Sequence, residues 1–323
     1  METRQAGRTD LHLSVLCLGT MTMGWSSDEK TSFAVMDAAL EAGINCFDSA
    51  DIYSRWAPGN QGGEAEKIIG AWCKARGTRD RVIIASKGRG QMWAGPDGEG
   101  LSRAHLMRAV EDSLRRLQTE TIDLYQTHWP DEAVPYEETL RALEDLIQQG
   151  KIRAIGCSNH TPEQLKAALK ASQSDSLARY ETLQPHYNLV HRQEFEAELM
   201  ALCQQETIGV IPYSPLAGGF LTGKYKVGQV APADSRGAGN DRMAKYSTEA
   251  GFAVIAALEQ IALAHESTPA QIALAWMLAN PVITSAIIGA RSPQQLQETV
   301  KSVEIKLTEA ELAQLNAVSQ PMG

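Results

Sequence analysis

The stretch IDLYQTHWPDEAVPYEETLRALEDLIQQGKIRAIGCSNH, residues 122–160, reads as one strand–helix–strand unit. Ile122 to His128 is a short apolar run. Glu137 to Gln149 has a helical period, Gly150 sits where that helix should stop, and IRAIGCS from Ile152 is a second apolar run. Strands that read as near-continuous hydrophobic runs are buried on both faces, as in a parallel sheet.

The same alternation extends both ways along the chain. VLCLGT from Val15, INCFDSA from Ile44 and VIIAS from Val82 precede the unit; ETLQPHYN from Glu181, GVIPYSP from Gly209 and SAIIGA from Ser285 follow it. Eight such units predict a (β/α)8 TIM barrel, with residues 1–323 as a single barrel domain. Helix starts are marked by Ser102, by Thr161-Pro162 and by Ser292-Pro293, and Gly43 marks a stop. RQAGRTDLHLS, near the amino terminus, reads as a β-hairpin capping the barrel's bottom. LTEAELAQLNAVS reads as an extra C-terminal helix opened by a capping box, Thr308 with Glu311. Spacing is uneven only before the last run. There Gly218 to Asn240, rich in Gly, Pro and small polar residues, reads as a long functional or disordered loop. A doubly wound dinucleotide fold needs GxGxxG directly after the first strand, and GTMTMG from Gly19 has the wrong spacing.

Composition narrows the class. A chain of 323 residues, 43% hydrophobic and 21% charged, is ordinary for a globular protein. Its formal charge of −9 excludes nucleic acid as the main partner, because phosphate binding needs a basic face. Five cysteines without a CxxC pair suggest free thiols in a reducing compartment. METRQAGRTD has no apolar stretch and no 18 apolar residues run together, so neither a secretory signal nor a spanning helix is expected. The expected location is cytoplasmic, with no membrane partner. Seven histidines show no ligand clustering, so no metal site is expected. His265-Glu266 lacks the second histidine of a zinc protease motif. GGFLTGKY from Gly218 approaches a phosphate-binding P-loop, but Tyr225 stands where a Ser or Thr must hold magnesium.

Four side chains fall at the carboxyl ends of three consecutive runs. Asp48 lies in INCFDSA with Tyr53 five residues on; Lys87 follows VIIAS; His128 closes IDLYQTH. Barrels keep their active sites at this face, and neighbouring parallel strands lie about 4.8 Å apart. A phenol, an ammonium, a carboxylate and an imidazole brought together there make a proton-transfer site.

Six motifs in order, DSADIY, the lysine after VIIAS, QTHWP, GCSNH, YSPLAGGFLTGKY and IIGARSPQQLQET, together resemble an aldo-keto reductase over essentially the whole chain. The nearest resemblance is to the branch holding bacterial general reductases and potassium-channel β subunits. It implies the same barrel and a nicotinamide cofactor, usually NADP(H) with NAD(H) possible, bound without a Rossmann fold. It also implies that Tyr53 protonates the carbonyl oxygen of an aldehyde or ketone. Lys87 would lower the phenol's pKa from near ~10 toward working pH, Asp48 would orient Lys87, and His128 would donate to the carbonyl oxygen. By the same mapping Ser158, Asn159 and Gln184 would hold the carboxamide, Tyr213 would stack on the nicotinamide, and Thr20, Met21 and Asp48 complete that end. Ser214, Leu216 and Gly218 would face the pyrophosphate, with Lys224 and Arg236 closing over it. Gly289, Arg291, Gln295 and Glu298 would surround the adenosine end, Arg291 pairing with a 2′-phosphate. Thr299 departs from the family, where Asn is frequent at the adenine.

Trp25, Trp56, Trp93 and Trp129 follow the first four runs, which suggests an aromatic-walled pocket for an apolar or aromatic carbonyl. The substrate wall is expected from Trp25, Tyr53, Trp93, His128 and Trp129, with Arg55, Arg89 and His160 in reserve for an anionic substrate. Two other readings stand beside the reductase: a cofactor-binding regulator or sensor with little turnover, and an aldolase using Lys87 as a Schiff base. The oligomeric state is unknown.

Overall fold

The computed structural model describes residues 1–226, 229, 232 and 243–320. Eight parallel strands make the barrel wall: β3 Leu16–Gly19, β4 Cys46–Asp48, β5 Ile83–Gly88, β6 Ile122–Thr127, β7 Ile152–Ser158, β8 Thr182–Gln184, β9 Gly209–Val210 and β10 Ala286–Ile288. Their order, β10-β3-β4-β5-β6-β7-β8-β9, follows the chain except that the last strand pairs with the first. Backbone bonds from Thr284 N to Val210 O (2.8 Å) and from Ile287 N to Pro212 O (3.0 Å) close the ring. The hairpin is present as β1 Thr3–Gln5 and β2 His12–Ser14, paired antiparallel.

Two expected runs yield short strands, and proline explains both. Pro185 and Pro212 cannot donate to a ladder, so β8 stops at Gln184 and β9 at Val210. In the other direction β5 outruns VIIAS, so Lys87 lies within the strand rather than after it.

Helices follow the strands: α1 Glu29–Glu41, α2 Glu64–Arg76, α3 Arg103–Leu117, α4 Tyr136–Gln148, α5 Pro162–Asp175 and α6 Met200–Glu206, then α7 Glu249–Ala264, α8 Pro269–Ala279, α9 Pro293–Val300 and α10 Glu309–Val318. The expected caps are in place. Ser102, Thr161, Ser292 and Thr308 each accept from the third helical residue's N–H, and Thr161 and Thr308 form full capping boxes. Gly43 and Gly150 take left-handed φ values of 83° and 72° just past α1 and α4. Most of the expected loop from Gly218 to Asn240 lies outside the described residues; α7 and α8 follow it, before the last strand. No helix among the described residues is long and apolar enough to cross a membrane.

Alternation along the strands explains the site's position. Cys46, Ala85, Leu124 and Ala154 point into the barrel, where Leu11 and Leu13 of the hairpin segment pack beneath them. Phe47, Ile84, Tyr125 and Ile155 point outward into the larger core under the helices. Side chains alternate with period two. The inward set therefore continues at the carboxyl ends as Asp48, Lys87, Gln126, Ser158 and Gln184.

Candidate active site

Register brings the inward groups together: Lys87 pairs with Gln126 across β5 and β6, and Ser158 with Gln184 across β7 and β8. Lys87 is fully buried. Its Nζ donates to Asp48 Oδ2 (2.8 Å), to the Ser49 carbonyl (2.7 Å) and to the Tyr53 hydroxyl (3.1 Å). Tyr53 arrives from the turn after β4, and its hydroxyl lies 3.5 Å from Asp48 Oδ2. Asp48 Oδ1 accepts from Gln184 Nε2 at 2.8 Å. An ammonium has three N–H bonds, and all three of Lys87's have partners. The Schiff-base reading needs a free, neutral amine, so the geometry stands against it.

Electrostatics sharpen the roles. Burial pushes the Tyr53 phenol up to about 12, while Lys87 pulls it the other way and Asp48 adds to the rise. The expected lowering toward neutral pH is therefore outweighed, because the cost of burying a phenolate exceeds what one already-paired ammonium returns. Burial works to lower Lys87, but Asp48 and Tyr53 together hold it above its ordinary value. Burial, with Lys87 adding, depresses His128 well below the usual imidazole range. At neutral pH the cluster holds a protonated phenol, an ammonium and a neutral imidazole.

His128 sits beside Tyr53 with ring centroids 5.9 Å apart and stacks on Trp129 at 3.8 Å. Its Nδ1 is buried without a hydrogen-bond partner among the described residues. Asn159, in the left-handed region at φ 59°, donates from Nδ2 to the His128 carbonyl (2.9 Å) and to Ser158 Oγ (3.1 Å). Its Oδ1 accepts from the Tyr213 hydroxyl at 2.8 Å. One chain of hydrogen bonds thus links the ends of β6, β7 and β9.

Above these groups opens a cavity of about 520 Å³. The sequence matches the Aldo/keto reductase family over residues 15–320. The chain belongs to that family. Uncharacterized oxidoreductase YrpG of Bacillus subtilis is 38% identical, covering 98% of this chain and 96% of its own. Protein tas of Escherichia coli is 35% identical over 99% and 98%. A probable voltage-gated potassium channel subunit beta of Arabidopsis thaliana is 33% identical over 94% and 92%.

In this aldo/keto reductase most of the expected site residues do line the cavity. Asp48, Tyr53, His128, Trp129 and Met21 line it, as do Ser158, Asn159, Gln184, Tyr213 and Ser214. Leu216, Gly218 and Lys224 continue the wall, and Gly289, Arg291 and Gln295 complete it. Lys87 lies behind Asp48 and Tyr53. Thr20 is buried, its hydroxyl donating to the Asp48 carbonyl at 2.9 Å.

Arg55, Arg89 and His160 do not line it either, and neither do Glu298, Trp93 and Trp25. Glu298 is exposed and pairs with Lys301 at 2.8 Å. Trp93 stacks on His105 at 4.9 Å, with the Arg108 guanidinium 4.1 Å over its ring. Trp25 packs edge-on against Trp56 at 5.6 Å, and it is Trp56 that lines the cavity. Loop course decides which tryptophan faces inward, and the spacing of strands does not encode it. Arg236 lies outside the described residues. Ile52, Gly219 and Thr222 line the cavity without having been singled out. Their signal was position alone, inside motifs already recognised.

The wall suits a dinucleotide. Ser214, Ala217, Gly218 and Gly219 all have positive φ values, 56°, 50°, 67° and 100°, a run of left-handed turns of the kind that gathers backbone N–H groups for an anion. Lys224 Nζ lies 3.3 Å from where a Cβ on Gly219 would be. Arg291 and Gln295 flank the start of α9, where the helix dipole favours phosphate. No cluster of three His, Cys, Asp or Glu that could hold a metal occurs among the described residues.

Proposed function

We propose that this chain reduces an aldehyde or ketone to an alcohol with NADPH, NADH being the weaker alternative. The observation that carries the reading is the three-way bonding of Lys87 to Asp48, Ser49 and Tyr53 at the cavity floor. Tyr213 would hold a reduced nicotinamide, which when bound would supply hydride. Tyr53, protonated at neutral pH, gives its proton to the carbonyl oxygen as charge grows there, and Lys87 steadies the phenolate left behind. Asp48 keeps Lys87 charged and aimed. His128, neutral, directs an N–H at the same oxygen. Arg291 would hold the 2′-phosphate and Lys224 the pyrophosphate. Trp56, Trp129, Ile52 and Met21 favour a neutral apolar or aromatic carbonyl. Among the described residues, the Lys and Arg side chains lining the cavity are Lys224 and Arg291, from the segments assigned here to phosphates.

The competing reading is a cofactor-binding regulator; one relative is named a probable voltage-gated potassium channel subunit beta. It needs the cofactor end of the cavity but not the buried Asp48–Lys87–Tyr53 cluster, and that cluster is complete. NADPH deuterated at the transferable C4 position, incubated with a panel of aromatic aldehydes and ketones, separates the two. The reductase reading expects deuterium on the carbinol carbon. Tight NADPH binding with no label transfer to any carbonyl favours the regulator.

A further inference from the structure

A column of rings stands behind Tyr213. Tyr213 N donates to the Pro185 carbonyl at 2.9 Å, which makes His186 and Tyr213 neighbours in a parallel bridge just past the ends of β8 and β9. Extended neighbours lie about 4.8 Å apart, a spacing at which flat side chains stack. The two rings do so, 5.1 Å between centroids and 8° from parallel. His191 stacks on His186 at 3.9 Å and 25°. Tyr213 lines the cavity and His186 does not, so the imidazole backs the phenol ring on the side away from the cavity.

His186 is held at its edge as well. Its Nε2 lies 3.3 Å from the Tyr246 hydroxyl and 3.4 Å from Asn188 Nδ2. Asn188, fully buried, also donates from Nδ2 to the Ser214 carbonyl at 3.0 Å. Burial, with His191 and Lys245 adding, holds the His186 imidazole down at about 3, so the ring is neutral and its Nε2 lone pair can accept from one of these donors. The Tyr213 hydroxyl is tied at its far end to Asn159. The phenol plane is thus fixed by one hydrogen bond and one stack.

We propose that His186 is a positioning residue for nicotinamide binding, fixing through its stack the plane of the Tyr213 ring. The proposal rests on the reading of Tyr213 as the surface against which the nicotinamide lies. Losing one aromatic stack corresponds to about a 2- to 10-fold change in an equilibrium constant.

The test uses two variants and two ligands. His186→Asn keeps polar atoms without a ring, and His186→Phe keeps a ring without the nitrogen lone pair. NADPH and 2′-phospho-ADP-ribose, which lacks only the nicotinamide moiety, are titrated by quenching of tryptophan fluorescence. Wild type should bind NADPH more tightly than the fragment. His186→Asn should weaken NADPH about 2- to 10-fold and leave the fragment unchanged, while His186→Phe matches wild type for both. Equal weakening of both ligands would mark a general structural defect and overturn the proposal. So would a loss in His186→Phe, or wild-type NADPH affinity in His186→Asn. A wild-type protein that binds NADPH no better than the fragment would instead remove the Tyr213 reading itself.

Discussion

Two influences act on the Tyr53 hydroxyl in opposite senses. Enclosure disfavours the phenolate, the Lys87 ammonium favours it, and enclosure wins, leaving the phenol up at about 12 against an ordinary value near ~10. The group is therefore in its proton-bearing form at neutral pH, though a weaker acid than an ordinary phenol. His128, depressed by burial, does not titrate there either. For carbonyl reduction kcat/KM should be flat from about pH 7 to 9, since the required forms are already populated. Alcohol oxidation needs the phenolate, so its kcat/KM should climb about tenfold per pH unit over the same range. A reduction profile that falls with an apparent pKa near ~8 would mean that Lys87 outweighs burial after all. The identities of Asp48, Tyr53, Lys87 and His128 were legible because each ends or follows an apolar run. The balance on Tyr53 was not, because depth of burial depends on how the turn after β4 folds back over Lys87.

At the scale of elements, β5 and β6 approach closely where Tyr125 packs over Gly88. A Cβ on Gly88, the residue after Lys87, would sit 2.0 Å from the Tyr125 hydroxyl and 3.1 Å from the ring carbon bearing it. Tyr125 is fully buried, and its hydroxyl has no hydrogen-bond partner among the described residues. Overpacking of a filled core costs about 1–3 kcal/mol, so Gly88→Ala should lower unfolding free energy in urea by that order. Tyr125→Phe alone should be neutral or slightly stabilising, because it removes an unpaired buried hydroxyl. Combined with Gly88→Ala it should recover part of the loss; a double variant no more stable than Gly88→Ala would contradict the contact. Strand ends here were partly legible. Capping residues marked the helix starts, but ETLQPHYN and GVIPYSP read longer than β8 and β9 because apolar content runs on past prolines that end the ladder.

Over the whole molecule the barrel sets function by parity and closure. Asp48, Lys87 and Gln184 are far apart in sequence yet meet because each continues the inward side of its own strand, and the ring of eight strands leaves them a common mouth. Eight apolar runs separated by helical periods were enough to read that architecture. The tryptophan wall was legible only as a tendency: Trp129 lies on the cavity, Trp56 takes the place expected of Trp25, and Trp93 turns away to His105. Such choices follow from loop paths that have no period to read.

In the proposed reduction Tyr53, backed by Lys87 and Asp48, is the proton donor for hydride transfer. Single-turnover oxidation of bound NADPH by an aromatic aldehyde, compared between wild type and Tyr53→Phe, tests it most directly. The Tyr53→Phe rate should be lower by about 10²–10⁴-fold, with the Kd for NADPH unchanged. A Tyr53→Phe protein that oxidises NADPH at the wild-type rate would contradict it.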